Sequence, residues 1–296
     1  MKLEDDVLFS RFVSALNLSE RTVVSYRVAL GEYVKFSGKS PGELVAEAER
    51  DEERGLKMAD RRIFTRLNSF RDRLRDAGLK PSSISRYVSI VKRFYKFFGV
   101  DVPSVRVGGH GRNPAFDRLP KRSEIKAAIS YAKPLYKAMM LLQVSNGMGA
   151  SEVSNLSLDQ FVEAIGLDVF DLGVDECIDL VERENIVGVW RVRRQKTRRQ
   201  YVTFSTPEAN VAILEYLRER ADFENWRLFA GLKTGRVGTD VYAHYLAGLN
   251  DRLGLGSFDG RRILSSHNLR RFFRNTTVQS RNGQDDDRVA AWAQSK

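Results

Sequence analysis

The apolar residues of the first hundred positions recur at helical spacing almost without interruption, and this pattern constrains the fold more than any other feature of the chain. Val23, Tyr26, Leu30 and Tyr33 follow one another at intervals of three and four. Such spacing is typical of an amphipathic helix that packs one face into a core. The sequence therefore predicts an N-terminal part made of helices, over residues 8–16, 22–36, 63–77 and 81–98, with a helix and a solvated loop over 43–62.

Residues 99–113 interrupt this pattern. The segment contains Pro103, Gly108, Gly109 and Gly111, and its apolar residues show little periodicity. Glycine and proline at this density are typical of a connection between domains. The sequence predicts three parts: a helical first domain over residues 1–105, a linker over 106–115 and a second domain over 116–296.

The second domain mixes two periodicities. Over residues 161–204, Val and Ile alternate with polar residues, which predicts strands. The pair 187–192 and 201–204 has the spacing of a hairpin with a basic loop between its strands. We therefore predict a fold that is mainly α with a small β-sheet (α+β). Its helices are expected near residues 121–132, 134–144 and 207–220 and over most of the remainder, with a loop at 254–261.

The charge of the chain favours a polyanionic partner. Lys and Arg number 49 against 38 Asp and Glu, which gives a net charge of +11. This balance fits a nucleic acid or an anionic membrane surface, and it also fits a basic protein that has no polyanionic partner. No run of 18 apolar residues and no strongly apolar anchor helix is present, so we expect no membrane partner. The single cysteine, Cys177, excludes an internal disulfide and fits a cytoplasmic protein with no metal site.

The helix predicted over residues 81–98 has a basic face opposite its apolar face. Arg86, Lys92, Arg93 and Lys96 lie on it, and no acidic residue interrupts them. A solvated helix surface explains this arrangement, and so does a helix that binds the DNA backbone through its phosphates.

Three further patterns are able to carry phosphate chemistry. The corner at residues 145–156 contains Gly147 and Gly149, and a need for positive φ would account for both glycines. Lys196 lies in the basic hairpin loop, either as an exposed charge or as a group that stabilises a phosphate and its leaving oxygen. His267 and Arg270 are three residues apart on a helix capped by serines. The pair fits an ordinary capped helix with a satisfied histidine, and it also fits a helix face that brackets a phosphate.

The order of these parts resembles the tyrosine recombinase (integrase) family, particularly its archaeal integrase-like members. Residues 1 to about 100 resemble the core-binding domain, and residues from about 114 resemble the catalytic domain. The resemblance implies a C-shaped clamp around duplex DNA. It also implies a tyrosine that attacks a phosphate held by two arginines, a lysine and a histidine, with no metal or nucleotide cofactor.

The resemblance transfers only part of that site to this chain. Lys196, His267 and Arg270 match the family pattern, whereas Gly149 stands where the first arginine belongs. The assisting histidine or tryptophan of the family would correspond to Trp292 or Ser295. The family tyrosine follows the second arginine by roughly thirty residues. Here 26 residues follow Arg270 and none is a tyrosine.

Three explanations fit the missing tyrosine. The sequence could be the trimmed form of an active enzyme, one fragment of a split integrase gene, or a recombinase-like protein that binds DNA without cutting it. The glycine at 149 favours the third, because trimming the end cannot remove an internal arginine. An arginine from elsewhere in the fold could still occupy the same space. The last tyrosines, Tyr242 and Tyr245, fit helix packing better than attack on DNA.

We therefore predict a protein that binds duplex DNA through its backbone, is a monomer in free solution and is joined by other protomers on DNA. A helical scaffold for acidic proteins is the more distant alternative. The residues expected to contact DNA are basic and lie on the helix 81–98, in the hairpin loop and beside Arg270: Arg86, Arg93, Lys96, Arg194, Arg198, Arg199 and Arg271.

Overall fold

The helical spacing of the N-terminal residues produces five α-helices within residues 6–108. Proline opens two of them, in the first turn, where its missing N–H is not needed. Ser40 and Glu43 form a capping box at the start of the third helix, with Ser40 N donating to Glu43 Oε2 at 2.7 Å. The helices are α1 (Val7–Ala15), α2 (Glu20–Ser37), α3 (Pro41–Glu53), α4 (Arg62–Asp76) and α5 (Pro81–Phe97).

In this computed structural model, the chain divides into two units, residues 1–112 and 113–296, and each has its own core. The structure describes residues 3, 6–108, 118–194, 199–220, 226–231, 235, 237–258 and 260–281.

Aromatic residues fill the core of the first unit. The Tyr33 and Tyr95 hydroxyls lie 3.1 Å apart, and the Tyr33 ring meets Phe70 edge-on at 5.0 Å. These side chains come from α2, α5 and α4, so they join the three longest helices of the unit. Val105 and Val107 also pack against this core, so the chain remains attached to the first unit up to that point.

Part of the charged segment 43–62 is buried, although its composition predicts a helix followed by a solvated loop. Glu47 and Asp51 are 2% and 1% exposed. Lys39 contacts Glu47 at 2.7 Å, Arg66 forms an ion pair with Glu47, and Arg62 contacts Asp51 at 2.6 Å. Buried carboxylates need such partners, because an unpaired charge is costly in a low dielectric. These ion pairs therefore attach α3 to α4.

The second unit contains helices α6 (Arg122–Tyr131), α7 (Pro134–Asn146), α8 (Ala150–Val153), α9 (Leu158–Ile165), α10 (Val174–Glu184), α11 (Pro207–Arg220), α12 (Thr239–Arg252) and α13 (Ser266–Arg281). Its strands are β1 (Gly188–Arg193), β2 (Gln200–Ser205), β3 (Ser257–Phe258) and β4 (Arg261–Arg262). Strands β1 and β2 form an antiparallel hairpin, as predicted. The short pair β3–β4 occupies part of the predicted loop 254–261 and extends one residue beyond it.

The prediction of strands over residues 161–187 is wrong, because α9 and α10 occupy most of that stretch. Phe161, Ala164 and Ile165 are buried at helical spacing, and the Ser157 side chain caps α9 by accepting from Gln160 N. Cys177 and Val181 form the buried face of α10. The Val and Ile content suggested alternation, but the buried positions follow a period of 3.6.

The β1–β2 hairpin packs one face into the core of the second unit. Trp190 is buried, and its Nε1 donates to Ser205 Oγ at 2.8 Å. Residues Val189 and Phe204, which pair across the outer face, remain exposed. The observed fold is mainly α with a small sheet, as predicted. Across the described ranges, no helix combines the length and the apolar character needed to cross a membrane.

Candidate functional site

Two of the motifs found in the sequence meet in the second unit through Glu152 and Arg270. Arg270 Nη1 lies 3.0 Å from Glu152 Oε2. Glu152 belongs to the short helix α8, which follows the glycine corner, and Arg270 belongs to the first turns of α13. The side chains are 10% and 25% exposed, so the ion pair is shielded from water without being sealed from it.

Glu152 Oε2 accepts three hydrogen bonds. Gly149 N donates at 2.7 Å, Arg270 Nη1 at 3.0 Å and the Tyr201 hydroxyl at 3.1 Å. Donors from three separate segments of the chain therefore fix the carboxylate. The fixed carboxylate accepts from one nitrogen of the guanidinium, and a guanidinium has further N–H donors that suit an anionic ligand.

Tyr201 connects the β1–β2 hairpin to this cluster. It lies on β2, and the guanidinium of Arg194 lies over its ring at 5.2 Å from the ring centre. Burial, followed by the negative charge of Glu152 and the hydrogen bond to it, raises the pKa of Tyr201 to about 12. Tyr201 is therefore a neutral phenol at physiological pH, and it donates to Glu152.

The two glycines of the corner have different conformations. Gly147 ends α7 with φ of 67°, in the left-handed region that favours glycine, as predicted. Gly149 has φ of −77° and ψ of 158°, an extended conformation open to any residue. Positive φ therefore explains Gly147 and does not explain Gly149.

His267 and Arg270 lie in the first turns of α13, as the serine-capped pattern predicts. Ser265 Oγ accepts from Asn268 N at 3.3 Å, and Asn268 and Leu269 point into the core. Packing of these two residues leaves the His267 side chain exposed and that of Arg270 partly exposed. Arg271, the next residue, is also partly exposed.

The hairpin loop is described only at its base. Arg194 N donates to Arg199 O at 2.9 Å, which closes the loop between the two strands. Arg194 and Arg199, two of the predicted DNA contacts, therefore lie at the mouth of the hairpin, where its loop meets the two strands. Lys196, Arg198, Trp292 and Ser295 lie outside the described residues.

The remaining predicted contacts lie on α5 in the first unit. Arg86 Nη2 donates to Ser25 Oγ at 2.6 Å, and Arg93 Nη1 donates to the Tyr26 hydroxyl at 2.8 Å. Both partners belong to α2, so these contacts hold the two guanidinium groups along the junction of α2 and α5. Lys96 is exposed in the last turn of α5.

Glu152 and Tyr201 belong to the cluster, but neither was predicted from the sequence to be a site residue. Glu152 stands three residues after the N-cap of α8, where an acid is common, and this signal was present in the corner motif. Tyr201 shares the inner face of β2 with Thr203 and Ser205, which the period of two along the strand could have shown.

The tyrosines of α12 take part in packing, as predicted. The Tyr242 hydroxyl donates to Gln143 Oε1 at 3.1 Å within the core. Tyr245 stacks on Tyr136 at 3.6 Å, and its hydroxyl accepts from Lys133 N. Among the described residues, no group of three or more His, Cys, Asp or Glu side chains is arranged to hold a metal ion.

Comparison with known proteins gives one local sequence match and several matches in fold. No family model matches the chain. Over 88 residues, the chain is 34% identical to the tyrosine recombinase XerC of Chlorobaculum parvum, a match that spans 30% of this chain and 24% of that protein. The sequence likeness therefore covers about a quarter of the relative's length.

The fold likeness extends over nearly the whole chain. A structure of the XerH site-specific recombinase bound to palindromic difH substrate matches 93% of this chain and 74% of its own, at a TM-score of 0.62 and 13% identity. A lambda integrase dimer bound to a COC′ core site matches 97% of this chain and 94% of its own, at a TM-score of 0.56 and 12% identity. The chain thus has the fold of these recombinases, and the match to XerC supports the tyrosine recombinase/integrase family.

Proposed function

We propose that the chain is a DNA-binding protein of the tyrosine recombinase/integrase type, linked to site-specific DNA recombination or integration. Its likeness to archaeal integrases in particular stays a prediction from the sequence. The observation that carries the proposal is the convergence of three sequence motifs on one cluster. The glycine corner supplies Glu152, the hairpin supplies Tyr201 and the His-x-x-Arg helix supplies Arg270.

The proposed ligand of this cluster is a DNA phosphate. Arg270 uses one Nη1 donor on Glu152, and its planar guanidinium has further N–H donors suited to two phosphate oxygens. His267, on the same helix, is proposed to supply a hydrogen-bond donor or a proton. Lys196 is proposed to reach the same phosphate from the hairpin loop. No metal or nucleotide cofactor is needed for such a contact.

The basic residues outside the cluster are proposed to bind the DNA backbone. Arg86 and Arg93 are already oriented by their hydrogen bonds to α2, so less side-chain entropy is lost when they meet a phosphate. The mouth of the hairpin adds a second basic surface in the other unit. The full proposed set comprises Arg86, Arg93, Lys96, Arg194, Arg198, Arg199 and Arg271.

The chain is proposed to bind DNA without cutting it. Gly149 cannot supply the charge that the first arginine gives the family site, and arginines that stabilise phosphoryl transfer account for several kcal/mol. The Tyr201 hydroxyl reaches this cluster, but it donates to Glu152 and is proposed to have a structural role. The alternative is an active recombinase whose tyrosine lies on a further segment, through C-terminal truncation or a split gene.

Retardation of duplex DNA on a native gel, at several salt concentrations, tests the binding proposal. A double charge reversal, Arg93→Glu with Arg198→Glu, should weaken binding and flatten its salt dependence, because fewer counterions are released. Arg183→Glu with Arg218→Glu is the matched control, since both arginines are exposed and pair with carboxylates outside the proposed surface. Equal affinity and equal salt slope in the double variant and the control would contradict the mapping.

A nicked suicide duplex carrying the genomic flanks tests cleavage. A denaturing gel should show no covalent protein–DNA adduct, while the native gel shows retardation. An adduct would restore the enzyme alternative. If the protein retards no duplex at low salt, the alternative of a helical scaffold for acidic proteins is favoured.

The chain is proposed to be a monomer in free solution and to meet further protomers on DNA. The lambda integrase match is a dimer bound to a core site, which supports assembly on DNA. Light scattering with and without a duplex that the protein retards measures both states.

A further inference from the structure

A side chain at position 149 would crowd the Arg270 guanidinium. A Cβ placed on Gly149 would lie 3.0 Å from Arg270 Nη1 and 3.4 Å from Glu152 Oε2. The first of these distances is tighter than nine in ten real Cβ contacts. A Cβ at position 149 would therefore require the guanidinium to move by a few tenths of an ångström.

Backbone conformation does not explain this glycine. Gly149 is extended, and any residue adopts its φ and ψ. Gly147, two positions earlier, has positive φ and requires glycine for that reason. What Gly149 contributes is the absence of a side chain beside Glu152.

We propose that Gly149 is a positioning residue whose missing side chain lets Arg270 reach Glu152, so that the site is built around this one arginine. The proposal deepens the proposed function and rests on it, since the ligand of Arg270 is taken to be a DNA phosphate. Glu152 holds one side of the guanidinium, and the Gly149 N–H and the Tyr201 hydroxyl hold Glu152. Gly149 thus does more than omit the charge of the family's first arginine.

Gly149→Ala tests this role directly. The added methyl group meets the end of a flexible side chain, so the arginine moves away and the fold remains intact. DNA affinity should fall about threefold to tenfold, the loss expected when one charge-assisted hydrogen bond is misaligned. Gly248→Ala is the matched control, because Gly248 lies in α12 and a Cβ there meets nothing within 4 Å.

A second pair of variants separates positioning from a general structural effect. Lysine at position 270 lacks the Nη1 atom that meets the methyl group. In an Arg270→Lys background, Gly149→Ala should therefore leave DNA affinity unchanged. If Gly149→Ala lowered DNA affinity as much in the Arg270→Lys background as in the wild type, the proposal would be overturned.

Arginine side-chain NMR gives a readout that does not depend on DNA. The Nε–Hε signal of Arg270, assigned by its disappearance in Arg270→Lys, should shift in Gly149→Ala and stay in place in Gly248→Ala. An unshifted signal in Gly149→Ala would overturn the proposal, whatever the DNA affinity. Failure of the wild-type protein to retard any duplex would instead overturn the proposed function, and the NMR comparison would still decide the role of Gly149.

Discussion

The ring of Phe273 on α13 lies directly against Gly147, the residue that ends α7. A Cβ on Gly147 would stand 2.7 Å from Phe273 Cε1, and the glycine also has positive φ. Close approach and backbone conformation therefore both require glycine at this point. The contact sets how near the His-x-x-Arg helix comes to the corner that contains Glu152.

Gly147→Ala is expected to destabilise the second unit by about 2–4 kcal/mol, because the strain of a left-handed alanine adds to overpacking against Phe273. Urea unfolding followed by tryptophan fluorescence measures this change. All three tryptophans lie in residues 113–296, so the signal reports that unit. Gly248→Ala, in open space on α12, should unfold at the same urea concentration or a higher one. Equal effects of the two substitutions would contradict the close contact.

Arg270→Ala is expected to lower DNA affinity and to reduce the salt slope by about one, as for the loss of one phosphate contact. The loss should be similar for duplexes of different sequence, because phosphates carry no base identity. Fluorescence anisotropy at four salt concentrations gives both quantities. A loss confined to one duplex sequence would point to base recognition by Arg270 instead.

Tyr201→Phe is expected to lower the free energy of unfolding by about 1 kcal/mol at neutral pH, through the lost hydrogen bond to Glu152. The pKa of Tyr201 is about 12 in the folded protein, above its usual value near 10, so folding favours the protonated phenol. This stabilisation is complete below pH 10 and is lost as the pH rises toward 12. Urea unfolding of both proteins at pH 8 and pH 11 should show the difference shrinking. A difference that grows with pH would exclude this hydrogen bond as its source.

Glu47→Gln is expected to destabilise the first unit by about 3 kcal/mol at pH 7, because Arg66 and Lys39 lose a buried anionic partner. Burial alone would raise the pKa of Glu47, but hydrogen bonds from Lys39 and Arg66 outweigh it and keep the pKa below its usual value near 4.5. The contribution is therefore present above pH 4.5 and is lost as the pH falls below it.

Circular dichroism during urea unfolding at pH 7 and pH 3 measures the effect of Glu47→Gln, since the first unit has no tryptophan. Glu49→Gln is the control, because Glu49 is exposed on the same helix. The two variants should differ at pH 7, and the difference should be smaller at pH 3. Equal stability of both variants at pH 7 would show that the buried ion pairs contribute no net stability.

The sequence alone was enough to predict the helices of the first unit, the β1–β2 hairpin and the start of α13. Their signals are local: apolar residues three and four apart, a capping serine, a glycine after the last turn. The same local signals misled over residues 161–187, where Val and Ile content suggested strands. The decisive buried positions, such as Phe161 and Ile165, follow a helical period instead.

The tertiary structure alone decided which charges are buried and which side chains meet. Glu152 and Arg270 are 118 positions apart, and nothing local to either one specifies the other. Glu47 belongs to a highly charged segment predicted to contain a helix and a solvated loop, and the packing of α3 on α4 buries it against Arg66. Local interactions involve residues only a few positions apart in the sequence. Burial and ion pairing depend instead on which helices and strands pack against each residue in the folded chain. For that reason the sequence determined the parts of the candidate site, and the fold determined how Gly149, Glu152 and Arg270 fit together.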